Sequence, residues 1–266
     1  MVRRPVVAGT FYPGSKSRLE DQLSSFITSV KEKQKVIGLV SPHAGYIYSG
    51  GCAGKGFSKI KIPNTVVILG VNHNGMGQSF AVDENDFWNT PLGDIPVERE
   101  LAEVLVSDSD LFEYDSQAGA AEHSLEVQVP FIQYLNQEAK ILPITLSSIN
   151  LNQLVEAGEE LAQVTSERND ILIVASTDMS HYIDAQSAKI KDLKALQKIL
   201  ELDPEGLFDL VRNERISMCG VSPTTMMLSA AKALGARHSE IIQYTNSGEV
   251  SGDFDQVVGY ASMIVY

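Results

Sequence analysis

Three histidines stand directly after apolar, β-branched runs, in loops rich in Gly, Ser, Asn or Asp: His43 in SPHAGY, His73 in LGVNHNG and His181 in STDMSHY. Neutral imidazole is the commonest protein ligand for a transition metal, and it also moves protons near neutral pH. Two ring nitrogens and a third donor make a minimal open site for Zn, Cu or Fe, so the three could form one site. A carboxylate or a thiolate could take the third position. Cys219, in ISMCGVSP, precedes an expected helix start, where the partial positive charge of backbone N–H groups would favour a thiolate; its plainer role is a buried small hydrophobe. Asp178 and Glu122 are the carboxylate alternatives. Asp178, three residues before His181, could ligate, orient that imidazole, or only cap a turn. His123 and Glu126 lie one helical turn apart and could both face the same crevice, or merely solvate a helix start.

Such residues can meet only if the elements before them end at one edge. Apolar runs predict strands over 36–40, 65–69, 140–146, 171–175, 241–245 and 257–265. Amphipathic spacing predicts helices over 49–59, 97–106, 151–164, 185–202 and 222–234, with Pro223 suited to a first turn. This alternation implies an α/β fold with a central mixed, largely parallel sheet and helices on both faces, which gathers ligands at the carboxyl ends of its strands. The last two strands are close in sequence, so part of the sheet should be antiparallel. EHSLEVQVPFIQYL fits both a strand and a helix, and a helix distorted near Pro130 is the better reading.

A chain of 266 residues, 44% hydrophobic, is long enough for one full core, and residues 1–266 are expected to form a single domain. A formal charge of −13 argues against nucleic-acid or anionic-membrane partners, which attract Lys and Arg clusters. With no long apolar segment near the start and none of membrane-spanning length, a cytoplasmic location is expected. Two cysteines make a disulfide framework unexpected and cannot supply the ligands of an iron–sulfur cluster. Cys52, in GGCAGKG, reads as a small residue at a tight helix–strand contact, and His238 as an ordinary surface residue. No phosphate-binding loop, G-x-S-x-G elbow or H-E-x-x-H helix is present.

RRPVVAGTFYP, SPHAGYIYSG, ILGVNH, EHSLEVQVPF, STDMSHY and MCGVSP occur in the order of the Memo family, also called AmmeMemoRadiSam system protein B, and the resemblance spans essentially the whole chain. That family is similar in fold to the class III extradiol (LigB-like) dioxygenases, non-haem iron enzymes that open catechol rings with O₂. The resemblance places metal-binding positions on His43, His73 and Cys219, and the dioxygenases' catalytic histidine on His181, with Asp178 and His123 around the same pocket. Those dioxygenases hold iron with two histidines and a glutamate; here Cys219 stands at the third position. A thiolate is softer, favouring Cu(I), Zn or a thiolate-tuned Fe, so catechol cleavage is expected to be absent or very slow. The resemblance therefore implies an Fe(II) or Cu protein, with Zn as a third option, acting as a redox or oxygenase-like enzyme. The alternative is a non-catalytic binding or adaptor protein whose pocket takes a peptide or metabolite. Radical-SAM and AMMECR1-domain proteins are the partners the family name implies.

Overall fold

A computed structural model describes residues 1–147, 149–168 and 170–266. In chain order the strands are β1 (Val2–Arg3), β2 (Gly38–Ser41), β3 (Thr65–Val71), β4 (Phe80–Val82), β5 (Phe87–Thr90), β6 (Gly93–Pro96), β7 (Glu113–Tyr114), β8 (Lys140–Leu146), β9 (Ile171–Ser176), β10 (His181–Ile183), β11 (Ser239–Asn246) and β12 (Val257–Val265). Among the described residues nine of them form one sheet in the order β10-β12-β2-β9-β3-β8-β4-β7, with β11 also paired to β12. Its centre, β2-β9-β3-β8, is parallel. Antiparallel pairing flanks that centre through β12 on one side and β4 on the other. The remaining strands make a small sheet, β1-β5-β6.

Successive side chains of a strand point to opposite faces, and the apolar runs of β2, β3 and β9 are buried on both. Leu39, Val66, Ile68, Leu172 and Val174 face a core closed by helices Lys16–Phe26, Tyr46–Lys59 and Val129–Leu135. Val40, Val67, Leu69, Ile173 and Ala175 face the other, closed by helices Arg99–Ser107, Leu151–Thr165, Ala185–Leu200, Pro204–Asn213 and Val221–Ala233. Helices thus cover both faces of a mixed sheet in a single-domain α/β fold, as the sequence pattern implies. No helix among the described residues is long and apolar enough to cross a membrane.

The ambiguous stretch is helical. A 3-10 turn over Glu126–Gln128 runs into the helix Val129–Leu135, and Pro130 falls in its first turn, where a missing N–H costs no intrahelical bond. The bend therefore lies on the amino side of the proline. This segment presses against β3 so closely that a side chain at Gly70 would strike Leu125 and the Ser124 hydroxyl.

Candidate metal centre

Because the four central strands are parallel, their carboxyl ends share one edge. β2 ends at Ser41, in register with Ser176 at the end of β9, and β3 ends at Val71. His43, His73 and Asp178 each follow two residues later. His123 arrives from the segment packed on Gly70. One ring nitrogen from each of His43, His73 and His123 lies within 4.8 Å of the others. The His73 and His123 rings stack at 4.7 Å, and His43 stands edge-on to both, at 5.3 and 5.4 Å.

Hydrogen bonds fix which ring nitrogens remain free. The Ser176 hydroxyl donates to the Ser124 carbonyl at 2.7 Å, so it accepts from His43 Nδ1 at 3.0 Å. His43 Nε2 is then an acceptor, and the Cys219 thiol, with its Sγ 3.2 Å away, can donate to it. Glu122 does the same for the second histidine. Its fully buried carboxylate accepts from His73 Nδ1 at 2.9 Å, from the His73 backbone N–H at 2.7 Å and from the Ser124 N–H at 2.9 Å. His123 Nδ1 faces the same carboxylate at 3.3 Å. A carboxylate behind a histidine is the usual device for setting its tautomer and aiming the other nitrogen at a metal.

The electrostatics agree with this proton assignment. Burial, helped by repulsion from His123 and His73, holds His43 well below the ordinary histidine range, so it is neutral as a ligand must be. Burial also lowers His123. For Glu122 burial alone would raise the carboxyl, but hydrogen bonds from His73 and Ser124 outweigh it and bring it down to about 2. Burial pushes Asp178 up to about 6 against the hydrogen bond from the His43 N–H.

The donor set fits a borderline transition metal: neutral imidazoles with their outer nitrogens tied, and a thiol beside one of them. His43 and His73 would hold it, with Cys219 or His123 as the third donor.

Several expectations need correction. Cys219 does stand just before the helix Val221–Ala233, but burial dominates and drives the thiol pKa up, so the helix terminus alone does not yield a thiolate. Glu126 turns away from the crevice: its carboxylate takes Arg3 at 2.7 Å, the Val6 and Val7 N–H groups and the Tyr12 hydroxyl. Asp178 does not hold the His181 ring. Its Oδ1 accepts the His43 N–H at 2.8 Å, while His181 Nδ1 donates to the Ser217 carbonyl at 2.8 Å and the His181 N–H to the Ser217 hydroxyl. The three residues whose ligand atoms cluster are His43, His73 and His123, so the structure groups His123 with the two strand-end histidines, and neither His181 nor Cys219 belongs to that cluster. Ser176 and Ser217 went unread, although Ser176 occupies the same strand-end position as Ser41 and directly precedes Thr177 and Asp178. Cys52 is buried in the helix Tyr46–Lys59 against the Gln243 carbonyl of β11, and His238 is exposed.

Sequence relatives match this chain nearly end to end. Residues 3–264 match a family described as Memo-like protein. A MEMO1 family protein of Aquifex aeolicus is 42% identical, the alignment covering 99% of this chain and 98% of that one. Another, from Nitrosopumilus maritimus, is 38% identical with 99% of each covered. A crystal structure of an uncharacterised protein from Escherichia coli K12 superposes with a TM-score of 0.54 at 18% identity, over 86% of this chain and 100% of that one, a likeness of fold alone. Match and identity both run nearly end to end, and on them the chain belongs to the Memo family.

Proposed function

We propose that this chain is a mononuclear Fe or Cu protein of the redox, oxygenase-like kind, its metal held by His43, His73 and Cys219. The observation that carries the reading is the pairing of His43 Nδ1 with Ser176 and of His73 Nδ1 with Glu122, which leaves Nε2 of each ring for a ligand, with Cys219 Sγ 3.2 Å from that of His43. A bound metal would supply Lewis-acid or one-electron chemistry. Cys219 would make the site softer and, as a coordinating thiol, would give up its proton despite its burial. His181 carries its proton on Nδ1 toward the Ser217 carbonyl, leaving Nε2 to accept one from a substrate. His123 shares the pocket, and Asp178 fixes the backbone of His43.

Cobalt substitution tests the assignment. Wild-type protein should bind Co(II) with a near-ultraviolet thiolate-to-cobalt charge-transfer band. Cys219→Ser should keep measurable binding and lose the band. His43→Ala and His73→Ala should lose binding while remaining folded. Cobalt bound without that band would move the third position to His123, and unchanged affinity in both alanine variants would remove the site.

A further inference from the structure

A cleft of about 350 Å³ opens beside His181, lined by Tyr48, Tyr182, Tyr260, Val258 and Asp253 among others. Two of its wall residues adjoin that histidine, and most of the others come from residues 247–260. Tyr182 follows it, the two rings lying 5.8 Å apart, and Val258 is its register partner across β10 and β12. Tyr182 is also held at φ +56°, in the left-handed region that a bulky residue adopts only when its surroundings impose it, and its side chain is 73% exposed. The fold thus strains the backbone to leave a large ring in solvent at the mouth of a cleft, and burying that ring elsewhere would be the ordinary outcome. Tyr48 is exposed across the same cleft. Asp253 is the one carboxylate of the lining, and among the described residues the lining includes neither Lys nor Arg. The chain as a whole carries −13, which draws cations toward it.

From these features we infer that the cleft is a binding site for an organic cation, a quaternary or methylated ammonium group seated against Tyr48 and Tyr182, over the buried Tyr260, with Asp253 as its counter-charge. Aromatic faces grouped with a single carboxylate suit a diffuse, weakly hydrated cation, which the ring quadrupoles attract. An anionic ligand would meet Asp253 with no basic partner. The inference goes beyond the metal reading and does not depend on it, because none of the three tyrosines is a candidate ligand. A cation held there would touch Tyr182, the residue that follows His181.

Calorimetric titration of metal-free and metal-loaded protein with choline, and with its uncharged isostere 3,3-dimethylbutan-1-ol, tests it. Choline should bind at least tenfold more tightly than the isostere in both forms. Tyr182→Ala should weaken choline about tenfold, Tyr182→Phe should restore it because the ring face is kept, and Asp253→Asn should weaken choline without affecting the isostere. These residues are at the surface, so circular dichroism should show all three variants folded. Equal affinity for the two probes, or choline binding untouched by Tyr182→Ala, would overturn the inference. Loss of metal binding with choline binding intact would count against the metal reading only.

Discussion

Replacing Glu122 by Gln isolates the charge that organises the pocket. The substitution preserves shape and stands in for the protonated acid. The fall of this carboxyl from an ordinary 4.5 to about 2 on folding is worth about 3 kcal/mol in favour of the ionised form. Gln forfeits that amount, and its amide nitrogen would have to face a donor: the His73 N–H, His73 Nδ1 or the Ser124 N–H. Metal-free Glu122→Gln should therefore be about 3 kcal/mol less stable at pH 7 by urea denaturation. The pH dependence has a definite sign. A group whose folded pKa is depressed gives stability that is complete above its unfolded value and is lost as the pH falls through the folded one. The wild-type advantage should hold from pH 7 to about 5 and shrink between about 4.5 and 2. Metal affinity should drop about 10- to 100-fold, as for other residues that orient a ligating histidine. A variant as stable as wild type at pH 7, or a difference that persists unchanged into acid, would refute the reasoning.

Arg3→Ala breaks a buried pair with Glu126 and removes the cation stacked 4.0 Å over Trp88; it should cost about 3–5 kcal/mol in denaturant titration. Ser176→Ala leaves the His43 Nδ1 and Gln128 amide donors without their acceptor, and should cost about 1–3 kcal/mol by the same measure while weakening metal binding. Gly70→Ala drives a methyl into Leu125 and Ser124, and should destabilise by about 1–3 kcal/mol. His181→Ala should leave metal affinity within about threefold of wild type, since the ring is neither a ligand nor bonded to one; a collapse equal to that of His43→Ala, read by cobalt titration, would make it a ligand.

The six longer strands of the large sheet and its principal helices were legible because long apolar runs such as Val66–Leu69 and Ile171–Ala175 have few other ways to bury both faces, whereas its short strands β4, β7 and β10 were not. The small sheet was not: β1, β5 and β6 are two to four residues long, too short for any periodicity to emerge. The helices Lys16–Phe26 and Pro204–Asn213 do not stand out either, although Pro204 in a first turn is a start signal. At the pocket, residue types and strand-end positions pointed to His43, His73 and His181, but the direction in which each ring turns is set by partners remote in sequence. Glu122 and Ser176 illustrate this, lying 49 and 133 residues from the histidines they orient. Glu126 is the converse case. Spacing put it on the face of His123, while Arg3, 123 residues away, claims it. At Cys219 the desolvation that burial imposes outweighs the pull of the helix terminus, and burial of that side chain is not visible in the local sequence.

The groups around His43 are contributed by residues 43, 73, 123, 178 and 219, and the closest sulfur–nitrogen approach joins positions 176 apart. During synthesis the pocket stays unfinished until four-fifths of the polypeptide has emerged, so an ion captured early would meet only one or two stray imidazoles. Contacts of such long sequence separation form late, after the parallel strands have paired. An ion bound at that stage would pin together the three separate stretches that carry its ligands. Peeling any one of them away would loosen it, so the rate of ion release should report when the last of these stretches lets go.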